Sequence, residues 1–254
     1  MINHKLKNLL SQLSIIVLLL IIPAARAESS GKGSVLEIID SISPCLVYIQ
    51  AENAVFAGSQ TKAVKDTNSG RIFIARRIKS AKFDRKGAGV IISPSGIIVT
   101  NAHVVRRAGR ITITLKDSRK IKAHLLSTVP GKDIAFIKIP SLKKMPYINF
   151  SDSDKVKLRD TVYTVGSSEF LRGTVSEGHI TGIGKKNSKN LKEREKVELI
   201  QTDFNIYKGD SGGPLIDRKG RLLGLLTASI KCKNHTSFAI PSNRIRKESA
   251  RYLK

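Results

Sequence analysis

Tryptophan is absent from this chain of 254 residues, and Phe and Tyr together number only thirteen, eight and five. So few rings argue against a stacking platform for single-stranded nucleic acid. Cysteine is nearly absent too. Cys45 and Cys232 are the two, and their separation matches no metal-ligand spacing, so neither a metal nor another cofactor is expected. Acidic residues are scarce, 20 against 45 Lys and Arg, for a formal charge of +25. Long apolar runs are missing except for "IIVLLLII", Ile15 to Ile22, which is too short to span a membrane comfortably.

That one run has the flanks of an export signal. Lys5 and Lys7 precede it and "PAARA" follows, ending in the A-x-A pattern Ala25-Arg26-Ala27. Residues 1–27 are therefore read as a signal peptide, with an uncleaved anchor as the other reading, and the protein is expected in the periplasm or secreted. Removing Lys5, Lys7 and Arg26 lowers the charge by three, to +22. For an exported chain, that charge points to an anionic membrane or envelope surface rather than to nucleic acid, or else serves solubility alone. Export also leaves a Cys45–Cys232 bridge open.

Beyond the signal, 28–44 is an N-terminal segment holding one short predicted helix, "VLEIIDSI" (35–42). Strand signals then become dense. "GAGVIIS" and "IIVTNAHV" flank the turn residues "PSG", and "RITITLKD" alternates with period two. "DIAFIKI" is apolar almost throughout, as a strand buried on both faces would be. A second set runs from "TVYTVGS" to "TSFAI", and the tail "PSNRIRKESARYLK" suits a helix capped by Ser242 or Asn243. The pattern predicts an all-β fold of two six-stranded barrels with a short C-terminal helix. The first barrel is set at 45–145, interrupted by a long basic loop at 52–86; the second barrel and the helix occupy 146–254. The loop either covers a cleft or mediates assembly, or is merely a solvated connection. "KKNSKNLKEREK", Lys185 to Lys196, is a second charged loop.

Acyl transfer by a serine needs a nucleophile, a base, an acid that orients the base, and amide donors for the oxyanion. "YKGDSGGPL" (207–215) sets Ser211 on a glycine turn, with the amides of Gly209, Asp210 and Ser211 as donors. His103 closes the apolar strand "IIVTNAH", where a loop end brings its ring to a cleft. Asp133 opens "DIAFIKI", a partly desolvated place that a carboxylate occupies only with hydrogen-bond donors. Asp117, in the turn "KDSRK", is its competitor. A buried Asp210 would call for a cation such as Lys208, Lys231 or Lys233; otherwise it faces water.

The order His103, Asp133, Ser211 resembles that of the chymotrypsin-like serine proteases. "GAGVIISPSGIIVTNAHVV", "DIAFIKI", "QTDFNIYKGDSGGPLID" and "FAIPSNRI" resemble the HtrA/Deg branch over roughly residues 35–245. The resemblance implies two perpendicular barrels, ATP-independent cleavage of unfolded polypeptides in the envelope, and a trimer. It puts the specificity pocket at Asn205, Ile206, Leu226, Thr227, Ala228 and Ser229. Asn205, where trypsin-like enzymes carry Asp, argues against a basic residue before the cut, and Leu226 and Ile206 favour a small aliphatic one such as Val or Ala. Two departures stand out. No PDZ domain is expected after "FAIPS", and Asp210 replaces the Asn that usually precedes the nucleophile in this branch. The other class of function consistent with these residues is a chaperone-like or envelope-binding module with little turnover.

Overall fold

The computed structural model describes residues 35–65, 72–140, 144–166, 174–185, 198–230 and 236–253. The expected signal (1–27), Lys186 to Lys196 of the charged loop, and Cys232 lie outside these residues, as do Lys231 and Lys233.

Helix α1 spans Val35–Ile42 and runs through a 3₁₀ turn, Ser43–Cys45, into β1, Leu46–Lys65. Strands β2 (Ile72–Ile91), β3 (Ile97–Asn101), β4 (Arg110–Thr114), β5 (Lys120–Val129) and β6 (Ile134–Lys138) follow, with a single-turn helix α2, Ala102–Val105, after β3. They close into a barrel in the order β1-β2-β3-β6-β5-β4. The second barrel contains β7 (Thr161–Val165), β8 (Val175–Lys185), β9 (Glu198–Thr202), β10 (Pro214–Ile216), β11 (Leu222–Ile230) and β12 (Thr236–Pro241), closed as β10-β11-β12-β9-β8-β7. Helix α3, Ser242–Ser249, ends the fold. The all-β architecture of two six-stranded barrels and a C-terminal helix is therefore as the strand pattern predicted.

The connection expected over 52–86 is mostly strand. β1 and β2 stay paired from Leu46↔Val90 to Lys65↔Ile72, with one register shift between Ala51 and Ala54. Beyond Ala54 and Phe83 they form a two-stranded ribbon whose outer edges meet no other strand among the described residues.

β3 is buried at all five positions, and β6 at Ile134 to Ile137; Ile98, Ala135 and Ile137 join the first core with Ile49, Ile91 and Ile113. The hairpin between β2 and β3 turns at Gly96, φ +83°, whose amide donates to Ser93 O at 3.0 Å. The second core gathers Val162, Ile180, Ile200, Phe204, Leu215, Leu223 and Leu226. A third apolar cluster draws on both barrels and both end helices: Ile39, Ile42, Cys45, Val99, Phe136, Ile216, Leu222 and Ile245 all belong to it.

Neither expected cap holds α3. Pro241 occupies the N-cap position. Ser242 Oγ instead donates to Ser151 O at 2.8 Å, and Asn243 Nδ2 to Asp152 Oδ1 at 2.7 Å. The Asn243 amide, one of the helix's orphan donors, finds Ser153 Oγ at 3.1 Å. Tertiary partners thus replace a local cap.

Candidate active site

Strand β3 ends at Asn101, and α2 turns the chain at once, which puts His103 on an exposed helical turn beside the start of β6. Asp133 sits at that start in the left-handed region, φ +52°. This backbone points its carbonyl and its carboxylate toward α2. Its carbonyl accepts from the Ala102 amide and from Asn101 Nδ2, both at 3.1 Å. Its carboxylate accepts the His103 amide on Oδ1 at 2.9 Å and meets His103 Nδ1 on Oδ2 at 2.8 Å. His103 is therefore held at two points by one residue, its backbone amide and its Nδ1, with Nε2 unengaged among the described residues.

A third donor comes from the other barrel. Thr227 Oγ1 donates to Asp133 Oδ2 at 2.7 Å. Burial raises the Asp133 carboxyl, but the hydrogen bonds and charge of His103 and the Thr227 hydroxyl outweigh it and hold the group below the usual carboxylate value. Thr227 can reach because β11 slips register against β12 between Leu226 and Ala228, which takes it out of the ladder. Asp117 is excluded as the partner of His103: it is exposed and binds the amide and Nε of Arg119.

Ser211 lies on the turn before β10. The Gly213 amide donates to Asp210 O, the Gly212 amide to Leu226 O, both at 2.8 Å, and Leu226 returns its amide to Gly213 O at 2.9 Å. Gly212 is required there. Its φ is +87°, and a Cβ would stand 2.2 Å from Ala88 O and 2.5 Å from Thr100 Oγ1. The carbonyl of Ser211 accepts the Ala88 amide of β2 at 2.8 Å, which ties the turn to the barrel that carries His103 and Asp133. Neither Ser211 Oγ nor His103 Nε2 has a hydrogen-bond partner among the described residues.

Of the three amides expected to face an oxyanion, that of Asp210 is occupied: it donates to Tyr207 O at 3.0 Å. The Gly209 and Ser211 amides have no acceptor among the described residues. Asp210 itself is buried, 8% exposed. Its Oδ2 accepts the Tyr207 amide at 2.8 Å, so the two residues clasp each other, while its buried Oδ1 has no partner. Burial pushes its carboxyl up, against the pull of the Tyr207 amide. The expectation of a cation beside it fails for Lys208, which is exposed.

The residues assigned to a specificity pocket separate. Asn205 is exposed and Ile206 half-buried at the edge of the second core. Leu226, 1% exposed, belongs to that core, and the Thr227 hydroxyl turns to Asp133. Ala228 and Ser229 pair with Phe238 and Ser237 of β12. β10 covers the opposite edge of β11 as far as Leu225 and the Gly212–Gly213 turn takes Leu226, so the edge beyond Leu226 meets no other strand among the described residues.

Sequence reasoning missed two contributors. Thr227 was read as a pocket wall. Arg85 was taken for part of a loop, yet its Nη1 donates to His103 O at 2.8 Å and Arg106 O at 3.0 Å. Both act across long sequence separations, and no local motif marks them.

Comparison with known proteins agrees with this geometry. The trypsin-like peptidase domain family matches residues 87–225. A probable periplasmic serine endoprotease, DegP-like, of Chlamydia pneumoniae is 39% identical over 63% of this chain and 33% of its own length. The periplasmic pH-dependent serine endoprotease DegQ of Escherichia coli is 31% identical over 89% of this chain and 49% of its own. The chain thus spans between a third and a half of these relatives. An HtrA-type protease, AlgW, solved with a tripeptide, superposes with a TM-score of 0.66 at 26% identity, covering 85% of this chain and 63% of that one. Fold, motif order and relatives agree: the chain belongs to the trypsin-like peptidase family, among its HtrA/Deg-type serine proteases.

Proposed function

We propose that this chain is an exported serine endopeptidase that cuts unfolded polypeptides. The observation that carries the reading is the carboxylate of Asp133, fixed by His103 and Thr227 from two barrels, next to a turn that presents Ser211. Ser211 Oγ attacks the scissile carbonyl and passes its proton to His103 Nε2. Asp133 keeps the imidazole in the right tautomer and stabilises the imidazolium. The Gly209 and Ser211 amides receive the oxyanion. His103 then protonates the leaving amine, and water repeats the sequence on the acyl-enzyme. The Ser211–His103 hydrogen bond closes when substrate arrives, as such contacts commonly do.

Substrate lies along the free edge of β11 past Leu226 as an added strand. Asn205 offers no carboxylate to a Lys or Arg before the cut, and Ile206, packed at the edge of the second core, favours a small aliphatic residue there. The periplasmic relatives support action in the envelope, and the expected trimer is read by sedimentation of the purified chain. Among the described residues, no helix is long and apolar enough to cross a membrane.

The test is digestion of an unfolded protein by residues 28–254 and by its Ser211→Ala variant, with fragments mapped by mass spectrometry. Cuts by the parent alone, after Val or Ala, are expected. Binding of unfolded protein by both chains without cuts would replace this reading with that of a binding module. The unbonded Ser211 Oγ is what keeps that second reading alive.

A further inference from the structure

A cationic rim borders the site at the end of α2. Arg85 holds the end of α2 through the carbonyls of His103 and Arg106. Arg106 and Arg107 leave that end exposed, Arg107 in the left-handed region at φ +62°. Neither of their side chains has a hydrogen-bond or ion-pair partner among the described residues. The two guanidiniums are close enough to Arg85 that, after burial, their charges lower its affinity for its proton. Lys86 follows Arg85 on β2, two residues before Ala88 grips the Ser211 carbonyl. Two nearby carboxylates are committed elsewhere. Asp133 is bound to His103, and Glu52 faces Arg110 at 3.5 Å.

Chemistry says which part of a substrate meets this rim. The leaving amine takes its proton from His103, so the chain beyond the cut must begin beside that imidazole. The acyl half lies on the other side, along β11. We infer that Arg106 and Arg107, with Arg85 and Lys86 behind them, select polypeptides carrying Asp or Glu in the first few residues after the scissile bond. The inference rests on the proteolytic reading above and names the substrate class within it.

The experiment uses quenched fluorescent peptides identical up to the cut. They carry Asp-Glu, Ser-Ser or Lys-Lys at the second and third residues beyond it. A fourth peptide carries the acidic pair at the same distance before the cut. Exposed ion pairs of this kind are worth a few-fold each, so kcat/KM for the acidic peptide should exceed that of the neutral one by about threefold to tenfold. The ratio should shrink toward one in 0.5 M salt and in the double variant Arg106→Gln, Arg107→Asn, where Asn tolerates the left-handed backbone. An equal gain from acids placed before the cut would overturn the rim, since the overall charge would then explain it. A ratio of one in the parent would overturn it too. Binding of the same peptides to Ser211→Ala reads the rim without turnover. Acidic preference there, with no cleavage by the parent, would sink the proteolytic reading and keep the rim as a site for acidic peptides. Equal binding of all four peptides would overturn the rim.

Discussion

Two side chains bear on the candidate site beyond the three proposed for catalysis. Thr227 gives Asp133 a hydrogen bond from the second barrel at 2.7 Å. A bond to a charged group is worth about 1.5–3 kcal/mol. Thr227→Val keeps the shape and removes the donor, so kcat should fall by about tenfold or more with little change in KM. Thr227→Ser should restore most of it; a Ser variant as slow as Val would mean the methyl matters, not the hydroxyl. Asp210 works the other way. Its carboxyl is raised when folded, chiefly by burial, so the folded chain holds a proton that the unfolded chain releases. Stability is unaffected well below the ordinary Asp pKa and declines as pH rises through it toward the folded value. Asp210→Asn should therefore raise the melting temperature at pH 7, by about 2–4 °C per kcal/mol recovered, and should lose that advantage near pH 3. An equal shift at both pH values would rule out the carboxyl's charge as the cause. His103, Asp133 and Ser211 were legible in the sequence because each sits in a short local pattern. Thr227 was not, because its reach depends on a β11–β12 register slip that only the closed barrel defines.

At the scale of elements, α1 is more than a lead-in. Ile39 and Ile42 are 5% exposed in the cluster shared by both barrels, and Ile38 stands 3.0 Å from where a Cβ on Gly220 of the second barrel would lie. The helix therefore covers the seam, with Cys45 beneath it as a buried free thiol. Burial pushes that thiol's pKa up to about 11, so it is inert at neutral pH. Ile42→Ala should cost about 2–5 kcal/mol. It should also make Cys45 react with iodoacetamide under conditions where the parent resists. Reactivity unchanged by the variant would show that α1 does not shield the thiol. The helix was readable from "VLEIIDSI", whereas the ribbon beyond Ala51 was not. Its polar and basic residues alternate too weakly to signal strands, and pairing along the chain supplies the regularity that composition withholds.

The two barrels are tied together by the segment that follows β12. Tyr252 packs on Phe136, ring centroids 5.2 Å apart, and its hydroxyl donates to Ser127 Oγ at 2.6 Å. Lys132 meets Glu248 of α3 at 2.5 Å. The last turn of the chain, which follows the second barrel, thereby grips the first. Since Asp133 follows Lys132 directly, this grip also steadies the carboxylate. Tyr252→Ala should lower stability by about 3 kcal/mol and kcat together, measured by denaturant unfolding and peptide turnover. A stability loss with turnover unchanged would confine the strap to the fold. Two barrels are foreseeable from the strand count; the seam they share and this strap are not, because their contacts, like those of α3, are tertiary.

The ribbon has a practical consequence. Its open edges are the kind of surface on which strands of separate copies stack. Residues 53–83 carry seven Lys or Arg against one Asp, so approaching copies repel. That protection is electrostatic and therefore conditional on buffer. Screening tightens from about 10 Å at 0.1 M salt to about 3 Å at 1 M. Concentrated stocks in high salt, the usual remedy for a sticky basic protein, would remove the barrier that keeps this one dispersed, and dilute low-salt storage should preserve it.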